Sequence, residues 1–236
     1  MNDPLPFVIA NLKANKTWDE MSSWLDIVGS KASDFVGTII FCPTATFLAA
    51  SSQKIKSAGW QINLGAQDIS QFEQGAYTGE IAASQVADLV TYTIIGHSER
   101  RKNFKEDDEM LAKKVQNATN SGITPIFCVQ GPDTQIPSGV EIVAYEPVFA
   151  IGTGNPDTPE NAKAVSQKIK ARLALASRRS GSLAKRARGD YIVIYGGSVT
   201  PGNTKSFLQK GIIDGVLVGS NSLDPQNFTR ILNSAA

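Results

Sequence analysis

The chain has 236 residues, 42% of them hydrophobic and 19% charged, and its 23 basic and 22 acidic residues leave a net charge of +1. That balance excludes a disordered chain and a globally basic binder of nucleic acid or membrane surface, so any anionic partner must be held by local geometry. Cys42 and Cys128 lie in separate apolar runs away from the one histidine, which speaks against a disulfide framework or a zinc site and for buried thiols in a reducing compartment. The first residues lack a basic n-region, and no apolar run reaches the length of about 18 residues that spans a bilayer, so the chain reads as soluble and cytoplasmic.

In chain order, a first apolar run at 7–10 precedes a segment, 17–28, in which Trp18, Met21, Trp24, Leu25 and Val28 recur at helical spacing. Further β-branched runs follow at 38–41, 62–66 and 92–95, then a helical pattern at 106–120. Runs at 123–129 and 142–145 precede a helix at 159–177; runs at 191–195 and 216–218 lead to a last helix at 225–232. Each of these later helices opens on an acidic residue or Pro. The runs are short and do not alternate strictly, as expected of strands buried on both faces of a parallel sheet. Eight such strands with intervening helices predict an α/β fold, a single-domain (β/α)8 barrel over residues 1–236. A doubly wound open sheet shares the same local alternation, but no GxGxxG follows the first run.

One connection departs from the pattern. Residues 130–140 read QGPDTQIPSGV, with two Pro, two Gly and no helical stripe, so the helix between the fifth and sixth strands is expected to be missing or replaced by a short loop. The outer face of those strands at Phe127 and Val143 then needs cover from another loop or from a partner subunit.

In a barrel the reactive groups collect at the carboxyl ends of the strands. The residues found there are Asn11 and Lys13, then His97, then Glu146, then Ser198 after a YGG turn, and finally Gly219 and Ser220. Six strings in this order, NLKANK, GAYTGE, IIGHSERR, AYEPVFAIGTG, YGGSV and GVLVGSNSL, resemble the triosephosphate isomerase family from about residue 7 to residue 232. The resemblance implies a TIM barrel that interconverts dihydroxyacetone phosphate and D-glyceraldehyde 3-phosphate through an enediolate, without metal or organic cofactor. By the same resemblance Glu146 is the base, with His97 serving the two substrate oxygens. Lys13 then acts as a fixed charge, Asn11 as an orienting amide and Glu99 as a polar support. The residues add one local argument: a helical turn starting in SERR would aim N–H groups at the His97 ring and disfavour its cation. Gly152, Ser198, Gly219 and Ser220 are the expected phosphate donors, Gly196 and Gly197 sharing the same turn as Ser198.

Three departures from the family stand out. Phe149 replaces a Trp, CVQG at 128–131 lacks a Glu after the cysteine, and Ser220 replaces a Gly. In the family that Trp and Glu hydrogen-bond; losing both leaves no orphan, and an altered closing equilibrium of the segment after Glu146 is expected. The loop around Gly75 and Glu80 resembles the one through which subunits of this family embrace, predicting a homodimer. A second interface at the missing helix would raise it to a tetramer. The basic tract 178–188 lacks interleaved aromatics and reads as a solvated helix end, without nucleic-acid contact. Two alternatives stay open: another sugar-phosphate isomerase or aldolase on the same barrel, and a non-catalytic phosphate-binding barrel.

Overall fold

The computed structural model describes residues 3–150, 156–179 and 191–236. Gly152 and, beyond residue 179, the basic tract lie outside the described residues. The strands are β1 (Phe7–Asn11), β2 (Thr38–Cys42), β3 (Asn63–Ala66), β4 (Tyr92–Ile95), β5 (Thr124–Val129), β6 (Ile142–Tyr145), β7 (Ile192–Tyr195) and β8 (Gly215–Val218). They pair in parallel in chain order, and β8 returns to β1 with Phe7 opposite Gly215, closing the barrel. The open-sheet alternative is thereby excluded. Successive side chains point alternately inward and outward. Ile9, Ile40, Ile94, Ile126, Ile142 and Ile194 fill the interior, while Val8, Phe41, Phe127, Val143 and Val193 pack under the helices. Burial of both sets is why the strand runs read as uniformly apolar.

The helices are α1 (Trp18–Ala32), α2 (Leu48–Ala58), α3 (Ala83–Val86), α4 (Ser98–Asn103), α5 (Asp108–Asn120), α6 (Pro159–Arg179), α7 (Thr204–Phe207) and α8 (Pro225–Ala235). Thr17 starts α1 with a capping box: its hydroxyl accepts from Glu20 N, and the Glu20 carboxylate accepts from Thr17 N at 2.7 Å. Of the anticipated stripe, Met21, Trp24, Leu25 and Val28 form the buried face whereas Trp18, at the first turn, is only half-buried, and the helix continues past 28 to Ala32. Asp107 and Asp224 cap α5 and α8, placing the start of α5 two residues later than the acidic run at 106 suggested. None of the described helices is long and apolar enough to cross a membrane.

Between β5 and β6 residues 130–141 form turns and extended backbone with no helix. Thr134 Oγ1 accepts from Gln130 N at 3.2 Å, and Arg172 of α6 donates to the carbonyls of Pro132 and Thr134. Ile136 packs on the outer layer and Val140 is buried. Phe127 and Val143 are 1% and 0% exposed within the single chain, so its own loop and helices cover them. At the barrel floor Tyr92 Oη donates to Asp3 at 2.6 Å and Thr38 Oγ1 to Pro4 O at 2.7 Å, fixing the N-terminal arm across the opening.

Candidate active site

The carboxyl ends of β1, β4, β7 and β8 bring together Asn11, Lys13, His97, Gly196, Gly197, Ser198, Gly219 and Ser220 around one cavity of about 190 Å³. Val199, Leu217 and Asn221 complete its wall. Residues separated by up to 210 positions in sequence, Asn11 and Asn221, thus share one mouth.

Asn11 ends β1, where its Oδ1 accepts from Lys13 N at 3.1 Å. Lys13 has φ +54°, a left-handed backbone that a β-carbon disfavours, and Gln67 holds it there by donating to Lys13 O at 2.8 Å and Cys42 O at 2.9 Å. The Lys13 ammonium pairs with Glu99 and lies beside Gly219, where an added β-carbon would be 3.6 Å from Nζ.

His97 is the N-cap of α4, and its Nδ1 accepts from Glu99 N at 3.2 Å. A ring nitrogen that accepts an N–H carries the lone pair, so the neutral ring bears its proton on Nε2. The turn anticipated from SERR is thus present, and Glu99 serves twice: its amide orients the imidazole while its carboxylate anchors Lys13.

Glu146 follows β6 and is 1% exposed. Its Oε2 accepts from Ser98 N at 2.8 Å. Oε1 lies 3.1 Å from His97 Nε2 but makes no aligned hydrogen bond. Burial pushes the carboxyl above the usual Glu range; His97, Ser98 and the Cys128 thiol oppose that shift without cancelling it. Gly196 abuts this side chain, since a β-carbon there would be 3.1 Å from Glu146 Cγ. The carboxylate therefore sits behind the cavity wall, outside the set that lines it.

Two turns form the opposite side. Among the described residues no group accepts from the backbone N–H of Gly197, Ser198 or Gly219, which leaves three donors open at the cavity. Ser198 does not cap a helix; Asn203 precedes α7 instead and donates to Ser198 O at 2.9 Å. Asn221 Nδ2 reaches Val199 O at 2.6 Å and ties the two turns together, while Trp24 Nε1 donates to Ser222 O at 2.7 Å from beneath. Sequence reasoning passed over Asn221, Gln67 and Ser98. Ser98 had a signal in its place directly after His97; the other two are ordinary polar residues whose partners lie far away in the chain.

Beside α4, Lys114 Nζ stands 2.6 Å from both Asp68 and Glu106, and Arg100 bonds the same two carboxylates at 2.9 and 2.6 Å. Burial pushes Asp68 up to about 6, a shift that Glu106 reinforces and that Lys114 and Arg100 do not offset.

Against known proteins, the family described as Triosephosphate isomerase matches residues 6–235. The triosephosphate isomerase of Dictyoglomus thermophilum is 37% identical over 96% of this chain and 98% of its own length. Those of Endomicrobium trichonymphae and Thermus thermophilus are each 36% identical, over 96% and 97% of this chain and 97% and 98% of their own lengths.

Proposed function

The chain belongs to the triosephosphate isomerase family, and from that premise we propose how its own residues divide the reaction. The reaction interconverts dihydroxyacetone phosphate and D-glyceraldehyde 3-phosphate, an aldose–ketose isomerisation. The observation that carries the assignment is the union, in one small cavity, of three open backbone donors, an ammonium and an imidazole, with a desolvated carboxylate directly behind.

The phosphate dianion is bound by the three open N–H groups of Gly197, Ser198 and Gly219, joined by that of Ser220 in the same turn as Gly219, with the Lys13 charge alongside. Ser220 keeps its amide, so its side chain does not cost the site a donor. The three-carbon end then lies toward His97. Glu146 leaves Ser98 N, turns past Gly196 and removes the proton beside the carbonyl; its buried setting strengthens it as a base. Charge that develops on the two oxygens is met by the Nε2–H of His97 and by Lys13, donors already oriented before the reaction starts. Asn11 and Glu99 hold Lys13 in position.

The test is a coupled assay with glyceraldehyde 3-phosphate. Glu146→Gln should lower kcat by about 10²–10⁴-fold with the fold intact, and near-normal turnover removes Glu146 from its role. His97→Gln should reduce kcat more than it raises KM, because the charge it meets exists only in the transition state.

We propose in addition that two chains associate through the loop around Gly75 and Glu80. Residues 73–80 are exposed, and Phe72 and Tyr77 stack at 4.1 Å on the surface, which supports that reading. Sedimentation across a concentration series decides it: a fully active monomer refutes the homodimer.

A further inference from the structure

Tyr145 and Tyr195 face each other across the β6–β7 ladder, and both side chains point outward, with ring centroids 6.4 Å apart. Their hydroxyls converge on one residue, Asp157. Its carboxylate accepts from Tyr145 Oη at 3.1 Å, and its backbone N donates to Tyr195 Oη at 2.9 Å. Asn161 Nδ2 and Thr158 N, at 2.8–3.0 Å, fill the rest of the carboxylate. Asp157 is 6% exposed, and among the described residues no cationic side chain pairs with it. A buried carboxylate that meets only neutral donors among the described residues is a costly way to join two strands, which points to a task beyond stability.

The neighbours of the two tyrosines supply that task. Glu146 comes directly after Tyr145, and Gly196 and Gly197 come directly after Tyr195. Gly197 lies against the Tyr195 hydroxyl, where a β-carbon would be 2.2 Å from Oη. Burial, with Asp157 beside it, pushes the Tyr145 hydroxyl above its usual range, so it remains a donor to the carboxylate. We infer that Asp157 is a positioning residue for the isomerisation: through Tyr145 it sets the aim of Glu146 relative to the anion-binding turn that Tyr195 supports. This rests on the reading of Glu146 as base. Release of Tyr145 frees the end of β6, and misplacement of a base by an ångström costs up to about 10² in rate.

Steady-state kinetics of Asp157→Ala, Tyr145→Phe, their double variant and Asp157→Asn test the inference, with wild type and Glu146→Gln measured alongside. Asp157→Ala keeps the backbone donor to Tyr195, so kcat should fall about tenfold or more while KM stays within about twofold. Tyr145→Phe should do the same, and the double variant should be no slower than the worse single one, because both changes break one link. Asp157→Asn retains an acceptor for Tyr145 and should recover most of kcat. Tyr145→Phe preserves volume and decides the matter by itself if the alanine variant does not fold. Unchanged kcat, losses that multiply in the double variant, an effect on KM alone, or no rescue by Asn each overturn the inference while Glu146→Gln stays inactive. An active Glu146→Gln instead refutes the base assignment and removes the ground beneath Asp157.

Discussion

Gly197→Ala is the sharpest test of the anion turn. The new β-carbon would lie 2.2 Å from Tyr195 Oη and 2.5 Å from its Cζ, where ordinary contact begins at 3.4 Å, so about 1.2 Å must be given up. Tyr195 cannot give it easily: it is 1% exposed, stacked on Phe207 at 3.9 Å, and its hydroxyl accepts from Asp157 N. Overpacking of this kind costs about 1–3 kcal/mol, and loss of the Asp157 bond adds about 1 kcal/mol. The sum of roughly 2–4 kcal/mol corresponds to a Tm lowered by about 5–15 °C for a chain of this size. The turn shares the strain with Tyr195, so its N–H groups move and KM rises. Gly131→Ala is the control: its β-carbon meets nothing within 4 Å and its φ is not positive, so stability should hold or rise by about 0.4–1 kcal/mol. Thermal unfolding and coupled kinetics read both variants. A Gly197→Ala protein with Tm and KM equal to wild type would show that Tyr195 does not brace the turn.

Lys13→Met removes the cavity's cation and should lower kcat/KM by about ten- to a hundredfold, while competitive inhibition by inorganic phosphate weakens in parallel; unchanged phosphate inhibition counts against a charge contact. Asp68, raised from 3.8 to about 6, favours the fold when protonated; its contribution is complete below the unfolded value and is lost as pH rises through about 6. Two units correspond to about 3 kcal/mol between pH 4 and 7, so urea titrations should show Asp68→Asn flattening that decline, and equal slopes in both proteins exclude the assignment. Trp24→Phe deletes the donor to Ser222 O and shrinks a side chain that is 1% exposed, which should cost about 2 kcal/mol in denaturant unfolding; a loss under 0.5 kcal/mol speaks against that bond.

The barrel was legible because its strands are buried on both faces, which writes each as a compact β-branched run, and because α1, α5, α6 and α8 carry apolar stripes with caps. By contrast α2 places Ser51 and Ser52 on its buried face, and α3 and α7 are four residues long, too short for any period to show. At the site, His97, Lys13 and Glu146 stood out as reactive side chains after predicted strands. Asp157 and Gln67 did not, because their importance lies in partners brought close only by folding. The anchoring of Glu146 on Ser98 N, behind the cavity rather than in it, is likewise a fact of side-chain rotation that no residue spacing records.

The strap over β5 and β6 is gripped unevenly along its length. Its hold on the barrel runs through Pro132, Thr134, Ile136 and Val140, whereas Ser138 and Gly139 between them are exposed. Doubling the length of such a segment costs only about 0.6 kcal/mol of closure entropy. The wall thus carries a seam between Ser138 and Gly139, and a foreign peptide spliced there should leave the thermal unfolding midpoint nearly unchanged, a large drop showing that the seam bears load.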